Sequence, residues 1–137
     1  MSLPTSENAL LIRTDFSDQT AWDRLIAAAR EPGDIFIFNM EVVDDRANSG
    51  RTVEQLMAAL PEDYPHSFIV VADSVAVSQP DHPLLVVDLL EERGRHFRAV
   101  AAAISQIDSN LSIANMGFEE FAGLVDEGGV FRGIPGM

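Results

Sequence analysis

Two short runs, Phe68-Ile69-Val70-Val71-Ala72 and Leu84-Leu85-Val86-Val87, are apolar at every position, the second continuing past Asp88 into Leu89 and Leu90. Successive side chains of a strand point to opposite faces, so a run without a polar alternate has to be covered on both. Both runs therefore read as central strands with helices above and below. Every other segment has to be placed around that requirement.

Ala9 to Thr14 is a strand stopped by Asp15, and Ser17 is placed to cap a helix with Trp22, Leu25, Ile26 and Ala29 on one stripe. Pro32 and Gly33 end it, and Ile35 to Met40 reads as a second strand, able to run on through Val42 and Val43. Thr52-Val53-Glu54-Gln55 fits a capping box ahead of a helix through Leu56, Met57 and Leu60. Asp73 to Pro83 reads as a linker with one helical turn. His96-Phe97-Arg98 can be a short extended piece before a helix from about Val100, and Leu111 to Asn115 reads as a further short strand. Phe118, Phe121, Ala122 and Val125 make a last helical stripe, Gly128-Gly129 ends it, and Val130-Phe131-Arg132 is an edge strand. Strands alternating with helices imply an α/β fold: a single three-layer domain over residues 9–137, with a mainly parallel central sheet and helices on both faces. Residues 1–8 are expected to be a disordered or tag-like extension.

The 137 residues include no lysine and no cysteine, so all nine basic side chains are arginines. That removes P-loop phosphate binding, Schiff-base chemistry, thiol nucleophiles, disulfides and thiolate metal sites. With 22 acidic residues the formal charge is −13, which repels phosphate backbones and anionic membranes. Nucleic acid and membrane are therefore not expected as partners, whereas a basic protein surface is. No apolar run approaches the ~20 residues of a membrane span, and Met1 to Glu7 has no signal-peptide character, so the cytoplasm is the expected compartment.

Several strings carry a resemblance: Leu11-Ile12-Arg13-Thr14-Asp15-Phe16, Leu84-Leu85-Val86-Val87-Asp88-Leu89, Asn110-Leu111-Ser112-Ile113-Ala114-Asn115-Met116, Phe118-Glu119-Glu120-Phe121-Ala122 and Gly129-Val130-Phe131-Arg132-Gly133. Together the chain resembles a family of small bacterial proteins, common in actinobacteria, that carries only a domain-of-unknown-function label. The resemblance spans nearly the whole chain and implies one domain. It implies no activity.

In open α/β sheets, ligands sit beyond the carboxyl ends of the strands. Asp15, Glu41 with Asp44-Asp45, Asp73 and Asp88 stand at those ends here. Converging carboxylates would be hard ligands for Mg²⁺ or Ca²⁺, or an acid pair with one raised pKa; dispersed, they would be turn and cap residues. Acids after the first and a central strand are also arranged as in phosphoacceptor receiver domains, but the lysine such a domain needs is missing. His66, His82 and His96 match no local metal motif, and no Gly-x-Ser-x-Gly elbow is present. Asn110 and Asn115 flank the apolar Leu111 to Ala114 segment as turn residues, with Asn115 also a candidate ligand-recognising amide. Arg13 and Arg132, beside apolar stretches, are expected to pair with carboxylates such as Asp15 or Asp88.

Two functions are compatible with this set. One is a non-enzymatic acidic binding module, regulatory or immunity-like, that engages a basic protein partner and needs no cofactor. The other is a divalent-metal enzyme acting through Asp15, Asp44, Asp73 and Asp88 with Mg²⁺ or Ca²⁺.

Overall fold

The computed structural model describes residue 3 and residues 7–30, 38–112 and 116–133. Its elements run β1 (Leu10–Arg13), α1 (Gln19–Arg30), β2 (Glu41–Val43), α2 (Val53–Ala59), β3 (Phe68–Ala72), α3 (Ser74–Ser78), β4 (Pro83–Asp88), β5 (His96–Val100), α4 (Ile104–Ser112), α5 (Phe118–Ala122) and β6 (Val130–Phe131). The strands form one sheet in the order β2-β1-β3-β4-β5-β6. The two wholly apolar runs, β3 and β4, lie at its centre and are buried at every position.

The expected mainly parallel sheet is corrected to a mixed one, because β4 runs antiparallel to both neighbours, with Val70 opposite Val86 and Leu85 opposite Arg98. Connection length is the physical reason. A parallel crossover takes a dozen or more residues, and the links 73–82 and 89–95 are both shorter than that. Where the links are long and helical, the pairs are parallel: β1 with β2 across α1, and β5 with β6 across α4 and α5. Burial on both faces does not distinguish the two directions once helices cover both sides. His82 helps turn the chain back, since it takes a left-handed φ of 50° while its Nδ1 donates to the Ala76 carbonyl at 3.0 Å.

The pleat divides the apolar side chains into two clusters. Leu11, Val70, Val86, Ala99 and Phe131 face Trp22 and Leu25 of α1, Ile104 and Ile107 of α4, and Phe118 and Phe121 of α5. On the other face Leu10, Ile12, Ile69, Val71 and Val87 pack against Leu56 of α2, joined by Leu3, whose N–H donates to Ala59. Each fully buried aliphatic chain contributes roughly 1.5 to 3 kcal/mol.

Tyr64 fastens the second cluster to the sheet. Its hydroxyl accepts from Leu10 N at 3.1 Å and donates to Phe68 O at 2.9 Å, so one phenol bridges the starts of β1 and β3. Burial pushes its pKa up to about 12, against the opposing pull of the Leu10 N–H and with help from the negative charge of Asp108.

Thr52 and Gln55 form the expected capping box of α2, Thr52 Oγ1 accepting from Gln55 N and Gln55 Oε1 from Thr52 N. At α1 the cap is Asp18, which accepts from Ala21 N at 3.0 Å, and Ser17 instead donates its N–H to Asp15 Oδ1. Of the second strand expected over Ile35 to Met40 and on through Val42 and Val43, residues 35–37 lie outside the described residues, 38–40 are not strand, and Glu41–Val43 form β2. Of the strand expected at Leu111 to Asn115, the first two residues are the end of α4, and 113–115 lie outside the described residues. Among the described residues no helix is long and apolar enough to cross a membrane.

Candidate functional site

The reversed direction of β4 sorts the candidate carboxylates. Asp15, Asp44 and Asp73 follow the carboxyl ends of β1, β2 and β3 at one edge of the sheet. Asp88 ends β4 and pairs with Phe68 at the start of β3, so it stands at the opposite edge. Asn115 lies outside the described residues.

Each of the four acids already engages a donor of its own chain. Asp15 Oδ1 accepts from Ser17 N at 3.1 Å, and Asp44 Oδ1 from Arg13 Nη1 at 3.1 Å. Asp73 caps α3 through Ala76 N and takes both Arg98 nitrogens, Nη1 at 3.0 Å and Nη2 at 2.8 Å. Partial burial works to raise the Asp73 carboxyl, but the Arg98 guanidinium and the Ala76 N–H outweigh it and hold the group below its ordinary range. Among the described residues no group of three or more His, Asp or Glu is arranged to hold a metal ion.

Arg13 is the notable side chain at this edge. It ends β1 at 2% exposure, donating from Nε to the Asp15 carbonyl at 3.0 Å and from Nη1 to Gln19 Oε1 at 3.1 Å as well as to Asp44. Its guanidinium carbon lies 4.3 Å from the Phe16 ring centre and 4.8 Å from that of Trp22, within cation–π range. Nη2 has no hydrogen-bond partner among the described residues. The sequence singles out Arg13 as a charge in an apolar strand, but its carboxylate is Asp44, 31 positions away, and the Asp15 contact is through the backbone carbonyl. Arg132, by contrast, is half exposed and bridges Asp81 and Asp126, both at 2.7 Å.

At the other edge Asp88 is 2% exposed and builds a loop. Oδ1 accepts from Leu90 N at 2.9 Å, Oδ2 from Glu92 N at 2.8 Å, and its carbonyl from Gly94 N at 2.8 Å. Gly94 has φ +96°, a conformation costly for any side chain, which lets the loop close back on β5. This loop holds Leu90 out at 74% exposure. Beneath it runs an open groove of about 630 Å³ whose walls include Tyr64, His66, Phe68 and Leu111, continuing past Leu90 into a recess of about 180 Å³ at Met116 and Phe118. Tyr64 and His66 meet edge-on in the groove wall, ring centres 5.2 Å apart. Sequence reasoning counts Leu89 and Leu90 as strand. The available signal is Leu90 standing directly before the charged run Glu91-Glu92-Arg93.

No curated protein matches the chain. A family model does, over residues 8–134, which is nearly the whole of it; the chain belongs to the family described as a domain of unknown function, DUF6924.

Proposed function

We propose that this protein is a non-enzymatic acidic binding module, regulatory or immunity-like, that engages a basic protein partner. The observation that carries the reading is the commitment of Asp15, Asp44, Asp73 and Asp88 to donors of their own chain, as turn, ion-pair, cap and loop residues. Acids used this way hold a scaffold rigid, and a formal charge of −13 then acts as a long-range field that draws basic surfaces and speeds their encounter. A divalent ion would have to compete with Arg13 for Asp44 and with Arg98 for Asp73, carboxylates already engaged by guanidinium groups at 3.1 Å and 2.8 Å.

Two titrations test this. Millimolar Mg²⁺ or Ca²⁺ should raise Tm no more than monovalent salt at equal ionic strength. An arginine-rich peptide should bind, with an affinity that falls as salt rises. A metal-specific rise in Tm that the Asp15→Asn, Asp44→Asn double variant abolishes would establish the metal-enzyme reading instead, and failure of the peptide to bind at low salt would remove the module reading.

A further inference from the structure

Leu90 presents an unusual combination. Exposed leucines are ordinary on protein surfaces, but this one sits on a loop whose backbone is held by three hydrogen bonds to a buried aspartate, and it lines both an open groove and the mostly apolar recess beside it. A rigid loop loses little conformational entropy when a partner closes on it, and an apolar anchor meeting a preformed recess is where binding energy concentrates. The groove wall mixes polar and apolar surface, while the recess past Leu90 is mostly apolar, with Phe68, Leu111, Met116 and Phe118 in its lining. Its surroundings are acidic: Glu62 and Asp63 are exposed on the bank leading into β3, Glu91 and Glu92 on the loop itself. Arg93 is the one arginine of the described lining, while neighbouring Arg95 is engaged by Glu92 and Glu119.

We infer that this groove is the docking surface for a polypeptide segment of the partner that carries a large apolar side chain flanked by arginine or lysine. The inference rests on the binding-module reading and specifies where and how the partner is held. The partner's apolar side chain packs against Leu90 and enters the groove beside Phe68 and Leu111, and its flanking cations lie against Glu62, Asp63, Glu91 and Glu92. Apolar contact sets the selectivity. Charge sets the encounter rate and its salt dependence.

The test uses the full chain, ¹⁵N-labelled, and two synthetic peptides that differ in one respect: one interleaves leucines with arginines, the other carries serine at each leucine. The leucine peptide should bind at least about ten-fold more tightly, the equivalent of one well-buried anchor. Its amide shifts should concentrate on 64–68, 88–94 and 111. Leu90→Ser, a change at an exposed position, should remove the preference, while Leu124→Ser, at the other exposed leucine, should leave it intact. The preference should also persist at high salt, since burial is not screened. Equal binding of both peptides, or shifts dispersed over the acidic surface, would overturn the docking surface and leave the module reading standing. A chain that self-associates in sedimentation, and stops doing so in Leu90→Ser, would overturn it in favour of a second copy as the occupant. Binding of neither peptide would overturn both.

Discussion

Replacing Tyr64 with phenylalanine removes one oxygen and nothing else, and that oxygen joins two strands at their starts. Leu10 N loses its acceptor and Phe68 O its donor, on residues exposed by no more than 1%. A net hydrogen bond contributes about 1 kcal/mol and a buried group left unpaired costs about 1 to 3 kcal/mol. With Tyr64 itself only half-buried, water relieves part of the loss, so the expected cost is about 2 kcal/mol near neutral pH, read from urea unfolding with an unchanged slope. The same substitution has an alkaline signature. Burial raises the phenol to about 12 in the folded state, against about 10 unfolded. Below pH 10 both states are protonated and the full contribution of Tyr64 is present; between pH 10 and 12 only the unfolded state releases its proton, so stability falls as pH rises. The phenylalanine variant lacks that proton, and the gap between the two proteins should therefore narrow by up to about 2 kcal/mol across that window. Tyr64 is the only tyrosine, so its near-ultraviolet ionisation can be followed without overlap. A native phenol that titrates near 10, or stability curves that stay parallel from pH 10 to 12, would refute the burial of the hydroxyl, and a phenylalanine variant as stable as the parent at neutral pH would refute the bridge.

Asp73→Asn keeps the helix cap of α3 but removes the charge facing Arg98, and should destabilise by about 1 kcal/mol for a pair that is roughly a quarter exposed. Because the carboxyl is held below its usual range, the wild-type contribution is present above about pH 4 and lost as pH falls, and the variant's acid limb should be flatter in a pH series of thermal melts. Arg13→Lys cannot reproduce the planar fork over Phe16 and Trp22 and should cost about 2 kcal/mol, with a shift in the emission of Trp22, the only tryptophan. Asp44→Ala should cost under about 1 kcal/mol, since Asp44 is half exposed; equal costs would show that the ion pair, not the carbonyl and ring contacts, holds Arg13.

What the sequence reveals here follows the range of each interaction. The α2 capping box spans Thr52 to Gln55 and is readable as written, and Val130–Phe131 is a strand as its flanking glycines suggest. The central place of β3 and β4 is legible because two-sided burial leaves no polar alternate. Their relative direction is not carried by that pattern; it lies in the shortness of 73–82 and 89–95, and weighing those lengths separates the mixed sheet from the parallel one. The role of Asp88 depends on the same point, since an acid at the end of a reversed strand meets a different edge. Tyr64 reaches Leu10 across 54 positions, and Arg13 meets Asp44 across 31, so neither partnership leaves a local trace.

The short links around β4 also order events in time. β3, β4 and β5 are contiguous in sequence, and their two antiparallel ladders need only brief loop closures, so this meander is the part able to assemble first. β1 lies between β2 and β3, so its second ladder can close only once β3 has been made. Leu10, Leu11 and Ile12, fully buried in the finished protein, have a ladder partner in β2 early, but one side of β1 stays an open apolar edge until Phe68–Ala72 follows, which exposes it to wrong pairing in the interval.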